Sequence, residues 1–300
     1  MKDIIIRATA MNNTIRVSSV ITTGLVEEAR QKHNLSPLAC ATLGRIMTAN
    51  LLLTWGLKGE GSLTIRFLGD GPIGGAISQA YSDYTVRGYV GDPSVDLPLT
   101  EEGKLNVGGA IGAGHLNIMK DIGMKDSYSG TTDIITGEVG DDIAQYLLES
   151  EQTPSLISLG VLVDIDYKVI ASGGIIVQAL PGAPENILDI IEEKAVLSKG
   201  VSILINNGLD AKGLLEEYLQ GIDFKVLEEH EVSFDCKCSK ERFRNSLYAL
   251  GKEELSSIID NEGECETRCH FCNEIHTFPK EELQEIMTSM EENENKDKNI

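Results

Sequence analysis

Five of the chain's six cysteines fall between Cys236 and Cys272, and Cys40 is the only one before them. Within that stretch Cys236-Lys237-Cys238 and Cys269-His270-Phe271-Cys272 form a C-x-C and a C-x-x-C separated by residues 239–268. Two close pairs that converge place four sulfurs tetrahedrally around Zn²⁺ at ~2.3 Å, the pattern of a structural site. The stretch is polar and short. Modules below ~70 residues rarely hold a core alone, and metal binding at such a site supplies folding free energy directly. Small buried hydrophobes would not cluster this way, so the metal reading of Cys236, Cys238, Cys269 and Cys272 is preferred. His270 and His276 can serve as ligands in a zinc-ribbon variant, but four cysteines already fill a tetrahedral shell. Thiolates crowded around one dication stay electron-rich and open to oxidants when exposed. Lys237, Lys240, Arg242 and Arg268 either hold the thiolate form by charge or are ordinary solvated charge.

The charge balance narrows the partners. With 26 basic and 47 acidic residues the net charge is −21, which repels phosphate backbones and anionic bilayers unless a local basic stripe opposes it. The sequence has no such stripe, so neither nucleic acid nor membrane is expected as a partner. The N-terminal Ile4-Ile5-Ile6 run is cut by Arg7, and no stretch approaches the ~18 apolar residues of a membrane span. A cytoplasmic location is expected. In that reducing compartment a structural disulfide framework is disfavoured, leaving metal binding or redox chemistry for the cysteines.

Periodicity predicts an α+β fold. After a β-like opening, residues 26–33 read as a short helix, and Ser36-Pro37 as a helix start. Apolar residues fall nearly all round a helical wheel over 38–57 (Leu43, Ile46, Met47, Leu51, Leu52, Leu53, Trp55), predicting a helix buried on most sides. Residues 62–68, 73–81, 85–90, 155–165 and 169–180 read as strands, with Gly69-Asp70-Gly71-Pro72 as a turn and a helix over 141–150. Strands without helical crossovers favour an antiparallel sheet. The expected organisation is a mixed N-terminal domain over 1–182, a helical linker over 183–231, a small zinc-binding domain over 232–290 and a frayed acidic tail over 291–300. The linker carries two short helices, one with Ile187, Ile190, Ile191 and Ala195 on one face, the other capped by Asp210 and ending at Gly221. Neither should be stable without something to pack on, so the segment reads as conditionally folded.

Elsewhere the chemistry is sparse. Cys40 lies on the apolar helix and reads as packing. The glycines of 108–114 lack the Lys-Ser/Thr of a phosphate loop and the G-x-G-x-x-G spacing, so a structural turn is expected. His115 has no recognisable acid or nucleophile partner, and no triad or paired-carboxylate arrangement stands out.

The cysteine pattern, the Cys238-Ser239-Lys240-Glu241-Arg242-Phe243 run, Cys269-His270-Phe271-Cys272-Asn273, and Gly69-Asp70-Gly71-Pro72, Arg87-Gly88-Tyr89-Val90, Glu151-Gln152-Thr153-Pro154-Ser155 and Leu180-Pro181-Gly182-Ala183 together resemble the redox-regulated heat shock protein 33 chaperones. The match spans nearly the whole chain, in the family's order. The resemblance implies a holdase for unfolded client proteins that is inactive when reduced and zinc-bound. Oxidation of Cys236 with Cys238 and of Cys269 with Cys272, by the family pattern, would release zinc, unfold the C-terminal module and linker, and expose client-binding surface; the active form would be a homodimer. Cys265 departs from the family's four-cysteine pattern and bears on the oxidised pairing. Two other classes compete: a thiol-disulfide oxidoreductase using Cys269 and Cys272, and a zinc-ribbon nucleic-acid module, which the net charge disfavours. The oxidoreductase would be expected in a thioredoxin-like βαβ setting, whereas a strand-like run over 274–278 follows this C-x-x-C.

Overall fold

The computed structural model describes residues 2–123, 127–197 and 199–297, apart from the side chains of 195–197 and 291–297. The chain divides into two compact units, Met1–Asp235 and Cys236–Ile300.

The first unit opens with the hairpin β1 (Ile4–Ala10) and β2 (Ile15–Ile21), followed by helices α1 (Thr23–His33) and α2 (Pro37–Leu52). Strands β3 (Ser62–Gly69), β4 (Ala76–Tyr81) and β5 (Thr85–Val90) follow, then the short helix α3 (Val107–Ile111). Next come β6 (Gly114–Asp121), β7 (Tyr128–Asp133), α4 (Val139–Glu151), β8 (Ser155–Val163) and β9 (Val169–Ala179). Helices α5 (Ile187–Leu197), α6 (Val201–Asn206) and α7 (Ala211–Tyr218), with strands β10 (Phe224–Glu231) and β11 (Ser233–Phe234), complete it. One antiparallel sheet has the order β10-β1-β2-β9-β8; the other runs β11-β5-β4-β3-β6-β7, antiparallel except where β11 lies parallel to β5.

Helix α2 touches both sheets, and fourteen of its sixteen residues are buried, as its all-round apolar wheel predicts. Ser36 caps it by accepting from the Ala39 amide, with Pro37 in the first turn. Close packing fixes one position: a Cβ on Gly44 would meet Val26 Cγ1 at 2.8 Å and Val161 Cγ2 at 2.9 Å. The buried hydroxyls of Thr22, Thr48 and Ser172 satisfy one another at 2.8 Å, which removes the desolvation cost of burying them between helix and sheet. The helix stops at Leu52 rather than running to 57, because Thr54 Oγ1 turns back onto the Leu51 carbonyl (2.7 Å) and Gly56 takes a φ of 87°.

Strands β6 and β7 add to the expected set: β6 pairs with β3 along its whole length and buries the alternating Leu116 and Ile118. The glycines before it are a structural junction. Backbone of 110–112 packs directly on Gly69 and Gly71, and Asp70 Oδ1 accepts from the Ala113 amide at 2.8 Å.

Residues 183–231 pack within the first unit. Helices α5, α6 and α7 bury Ile187, Ile191, Leu204, Leu214, Leu215 and Tyr218 against a sheet face carrying Ile6, Val17, Ile175 and Val177. Asp210 caps α7 by accepting from the Gly213 amide at 2.7 Å. The segment then ends in a strand, where only helix was expected. β10 is Glu-rich and mostly exposed, so its own propensity is poor; the open edge of β1 supplies the backbone partners that make it a strand.

The second unit contains α8 (Lys240–Leu250), α9 (Lys252–Asn261), the hairpin β12 (Glu264–Arg268) and β13 (Ile275–Pro279), and α10 (Lys280–Asp297). Among the described residues its core is seven buried side chains, Leu247, Leu255, Ile259, Phe278, Leu283, Ile286 and Met290. Helix α10 continues through 291–297, where fraying was expected; that stretch has no Gly or Pro to stop it, and Glu281 and Glu282 favour the first turn. Residues 298–300 of the acidic tail lie outside the described residues.

Candidate metal centre

Two turns bring the four sulfurs together. Cys236 and Cys238 lie just ahead of α8, whose start is fixed by Ser239 accepting from the Arg242 amide, while Arg242 Nη1 donates to the Lys237 carbonyl at 3.0 Å. Cys269 and Cys272 occupy the turn between β12 and β13. There the Cys269 amide donates to the Glu274 carbonyl (2.9 Å), the Asn273 amide donates to the Cys269 carbonyl (2.7 Å), and Asn273 adopts a left-handed φ of 61°. This tight loop turns both sulfurs the same way.

The result is a cage. Cys236 Sγ lies 3.6 Å from Cys269 Sγ, Cys238 Sγ lies 3.4 Å from Cys272 Sγ, and all four sulfurs fall within 4.8 Å of one another. A tetrahedral ion with metal–sulfur bonds of ~2.3 Å requires sulfur–sulfur edges of about 3.8 Å, so this donor set fits a metal ion. Cys269 and Cys272 are buried, Cys236 and Cys238 partly so.

Electrostatics gives the same answer. Burial is the main force raising the Cys238 thiol, with the neighbouring thiols adding to it, and burial pushes Cys272 up to about 11. Four thiols packed this closely resist ionisation on their own, because each new charge would be poorly solvated and close to the next. A dication reverses that preference, since a coordinating thiol is deprotonated outright. Lys240 pairs with Glu282 at 2.7 Å, and Arg268 donates to Asn273 Oδ1 at 3.2 Å, so these two cations have partners of their own.

The remaining sequence candidates separate from the cage. Cys265 stands outside it: residues 264–268 are β-strand, with Cys265 opposite Phe278 and packed on the small core. At ~3.3 Å per residue, an extended backbone carries Cys265 about 13 Å from Cys269. Cys40 is buried in α2, its thiol pushed to about 12 by burial, which is the behaviour of a packing residue. His115 does have an acid neighbour: Asp133, opposite it in the β6–β7 ladder, at 3.0 Å on the surface, a pairing that sequence distance concealed. His270 is exposed. His276 is different, since its Nε2 is buried without a hydrogen-bond partner among the described residues. It groups with Cys238 and Glu274, all three donor atoms within 4.8 Å of one another. Glu274 went unnoticed in the sequence; its signal is its place two residues before His276, immediately ahead of the strand.

Among the described residues no helix is long and apolar enough to cross a membrane. The family profile described as Hsp33 protein matches residues 3–279. The chain is 47% identical over 292 residues to the 33 kDa chaperonin of Desulforamulus reducens, covering 97% of this chain and 99% of that one. It is 42% identical over 285 residues to the 33 kDa chaperonin of Bacillus pumilus, covering 95% and 98%. The crystal structure of the 33 kDa chaperonin (heat shock protein 33 homolog) from Thermotoga maritima superposes with a TM-score of 0.90 at 36% identity, over 96% of this chain and 98% of that one. With the cysteine cage, the two-sheet core and the whole-length match agreeing, the chain belongs to the Hsp33 protein family.

Proposed function

We propose that this chain is a redox-regulated holdase whose switch is a Zn²⁺ ion held by Cys236, Cys238, Cys269 and Cys272. Relatives named chaperonins carry the chaperone reading: the chain binds client proteins and is not an enzyme. The observation that carries the switch is the cage of four sulfurs in a unit whose core, among the described residues, is seven buried side chains. A core so thin depends on its metal, because binding free energy at such a site is folding free energy.

Zinc, when bound, keeps the four sulfurs as thiolates and so holds the turn at 269–273 against the segment at 236–238. Oxidation removes those ligands in pairs. A peroxide accepts two electrons from two thiolates, one S–S bond forms, and two protons are taken up as the peroxide becomes two waters. By the family resemblance the products are Cys236–Cys238 and Cys269–Cys272. In the reduced cage Cys236 also lies 3.6 Å from Cys269 and Cys238 3.4 Å from Cys272, so sulfurs of different pairs are close as well. With no thiolate ligand left, the second unit loses its stabilising ion.

The segment roles follow: residues 1–182 the client-binding core, 183–231 a metastable cover, 232–290 the switch and 291–300 a tail. Helices α5, α6 and α7 shield an apolar sheet face, and lifting them would bare Ile6, Val17, Ile175 and Val177 to unfolded clients. A cytoplasmic setting, where these thiols stay reduced until stress, and a homodimeric oxidised form complete the reading.

The oxidoreductase reading is weaker. Its C-x-x-C should open a helix, whereas Cys269 and Cys272 sit in a hairpin turn. The deciding experiment compares reduced zinc-loaded and oxidised protein in suppressing light scattering by a thermally unfolding client, alongside sedimentation of both forms. Equal suppression by the two forms rules out the switch; insulin reduction without holdase activity would favour the alternative.

A further inference from the structure

We propose that Cys238, Glu274 and His276 form a second, three-donor seat for a divalent transition metal, sharing one sulfur with the four-cysteine cage and filled when the cage has lost Cys269 and Cys272 while Cys238 is still reduced. This rests on the reading that the cage holds metal. The three donor atoms lie within 4.8 Å of one another, and Cys238 Sγ is 4.0 Å from Glu274 Oε2. That spacing is within about half an ångström of the donor–donor edge around a tetrahedral ion with bonds of ~2.0–2.3 Å.

Independent observations point to a ligand. Among the described residues His276 Nε2 is buried with no hydrogen-bond partner, a costly state for an imidazole nitrogen unless something binds there. The ring is held in place: Phe243 packs on it at 5.1 Å between centroids, and Thr267 Oγ1 donates to the His276 carbonyl at 3.2 Å. Glu274 is anchored through its carbonyl, which accepts from the Cys269 amide at 2.9 Å. Glu274 thus sits just ahead of β13, with its carboxylate beside the His276 ring and Cys238.

The donor set is chemically distinct from the cage. One thiolate, one carboxylate and one imidazole suit borderline ions such as Zn²⁺ and Co²⁺, and three protein ligands leave a fourth position open to solvent or to a chelator. A closed four-sulfur shell has no such opening. Because Cys238 belongs to both sets, donors can exchange one at a time around a retained sulfur. The seat therefore acts as an exit station for the ion in the interval after Cys269 and Cys272 pair and before Cys238 is oxidised.

The test is anaerobic Co²⁺ titration of the reduced full-length chain, read by visible absorption and stoichiometry. Wild type should bind one Co²⁺ with thiolate charge-transfer bands. Cys269→Ser/Cys272→Ser, and separately Cys236→Ser/Cys269→Ser, each keep Cys238, Glu274 and His276. They should retain one Co²⁺ more weakly, with a spectrum of mixed donors. Adding His276→Ala should lower that affinity at least tenfold, whereas His270→Ala should not. Two double variants guard against a folding failure in one, with circular dichroism as the check. If neither double variant binds Co²⁺ while wild type does, or if both are indifferent to His276→Ala, the second seat does not exist. A wild type that binds no Co²⁺ would instead remove the four-sulfur cage, and this seat with it.

Discussion

The Tyr218 hydroxyl donates to Ser158 Oγ at 2.7 Å, tying the last residue of α7 to strand β8 at the edge of the five-stranded sheet. Tyr218 is almost fully buried, so this bond fastens the helical cover from inside the apolar layer. Tyr218→Phe leaves the ring and removes the bond, which should cost about 1 kcal/mol. Leu214→Ala, at a fully buried position of the same helix, should cost about 2–5 kcal/mol. Both variants should speed hydrogen exchange over Ala211–Tyr218 in the reduced protein, Leu214→Ala more, and both should reach holdase activity faster on oxidation. Unchanged exchange in Leu214→Ala would show that α7 is not held by this layer.

Metal loading should follow pH with a definite sign. Burial holds the Cys272 thiol at about 11, above its ordinary 9.0, and raises Cys238 as well. In the metal-free folded unit these thiols bind protons more tightly than in the unfolded chain. The metal-free fold is therefore most stable below 9.0 and loses stability as pH rises toward about 11. Metal binding releases those protons, so zinc affinity should climb between pH 6 and 8, by up to one proton per sulfur. Competition with a colorimetric chelator across that range should show the climb and a stoichiometry of one per chain, lost in Cys238→Ser plus Cys269→Ser. A flat profile would mean that sulfur is not the ligand.

The first unit should weaken in acid for a different reason. Arg30 grips Glu27 through two hydrogen bonds at 2.7 and 2.8 Å, the Val169 amide adds a third at 2.9 Å, and the carboxyl falls from 4.5 to about 2. A depressed carboxyl stabilises the fold above 4.5, and that contribution is lost as pH falls toward about 2. Glu27→Gln should lower stability at neutral pH and narrow the difference from wild type in acid. Denaturant melts at pH 7 and pH 3 measure it; an equal difference at both would refute the assignment.

Sequence alone made the cage legible, because C-x-C and C-x-x-C carry their geometry in their spacing, and it made α2 legible, because a helix apolar all round has to be buried. It missed what depends on partners distant in the chain. Strand β10 exists because β1 has an open edge, and Asp133 becomes the neighbour of His115 only through the β6–β7 register. Glu274, and its grouping with His276, were hidden for a similar reason. A carboxylate and an imidazole two residues apart are unremarkable until the hairpin sets them beside Cys238.

Cys265 provides the last prediction. It pairs with Phe278 across the hairpin and packs on the small core, and burial raises its thiol. A protonated thiol about 13 Å along the strand from Cys269 can neither ligate the ion nor attack a disulfide there while β12 persists. Cys265→Ser should therefore keep one zinc per chain and cost about 1 kcal/mol, the usual size for a polar exchange at a half-buried site. Its influence should come after the switch opens. Once the second unit has lost its metal, the strand no longer separates Cys265 from the newly formed bonds, and its thiolate can exchange into them. Peptide mapping over an oxidation time course should find no Cys265 disulfide while zinc remains bound, then a rising fraction after release. Reduction should return Cys265→Ser to its zinc-bound form faster than wild type. Cys265 cross-links appearing before metal loss would mean that the hairpin opens first, and loss of zinc in Cys265→Ser would make Cys265 a ligand and the chosen four wrong.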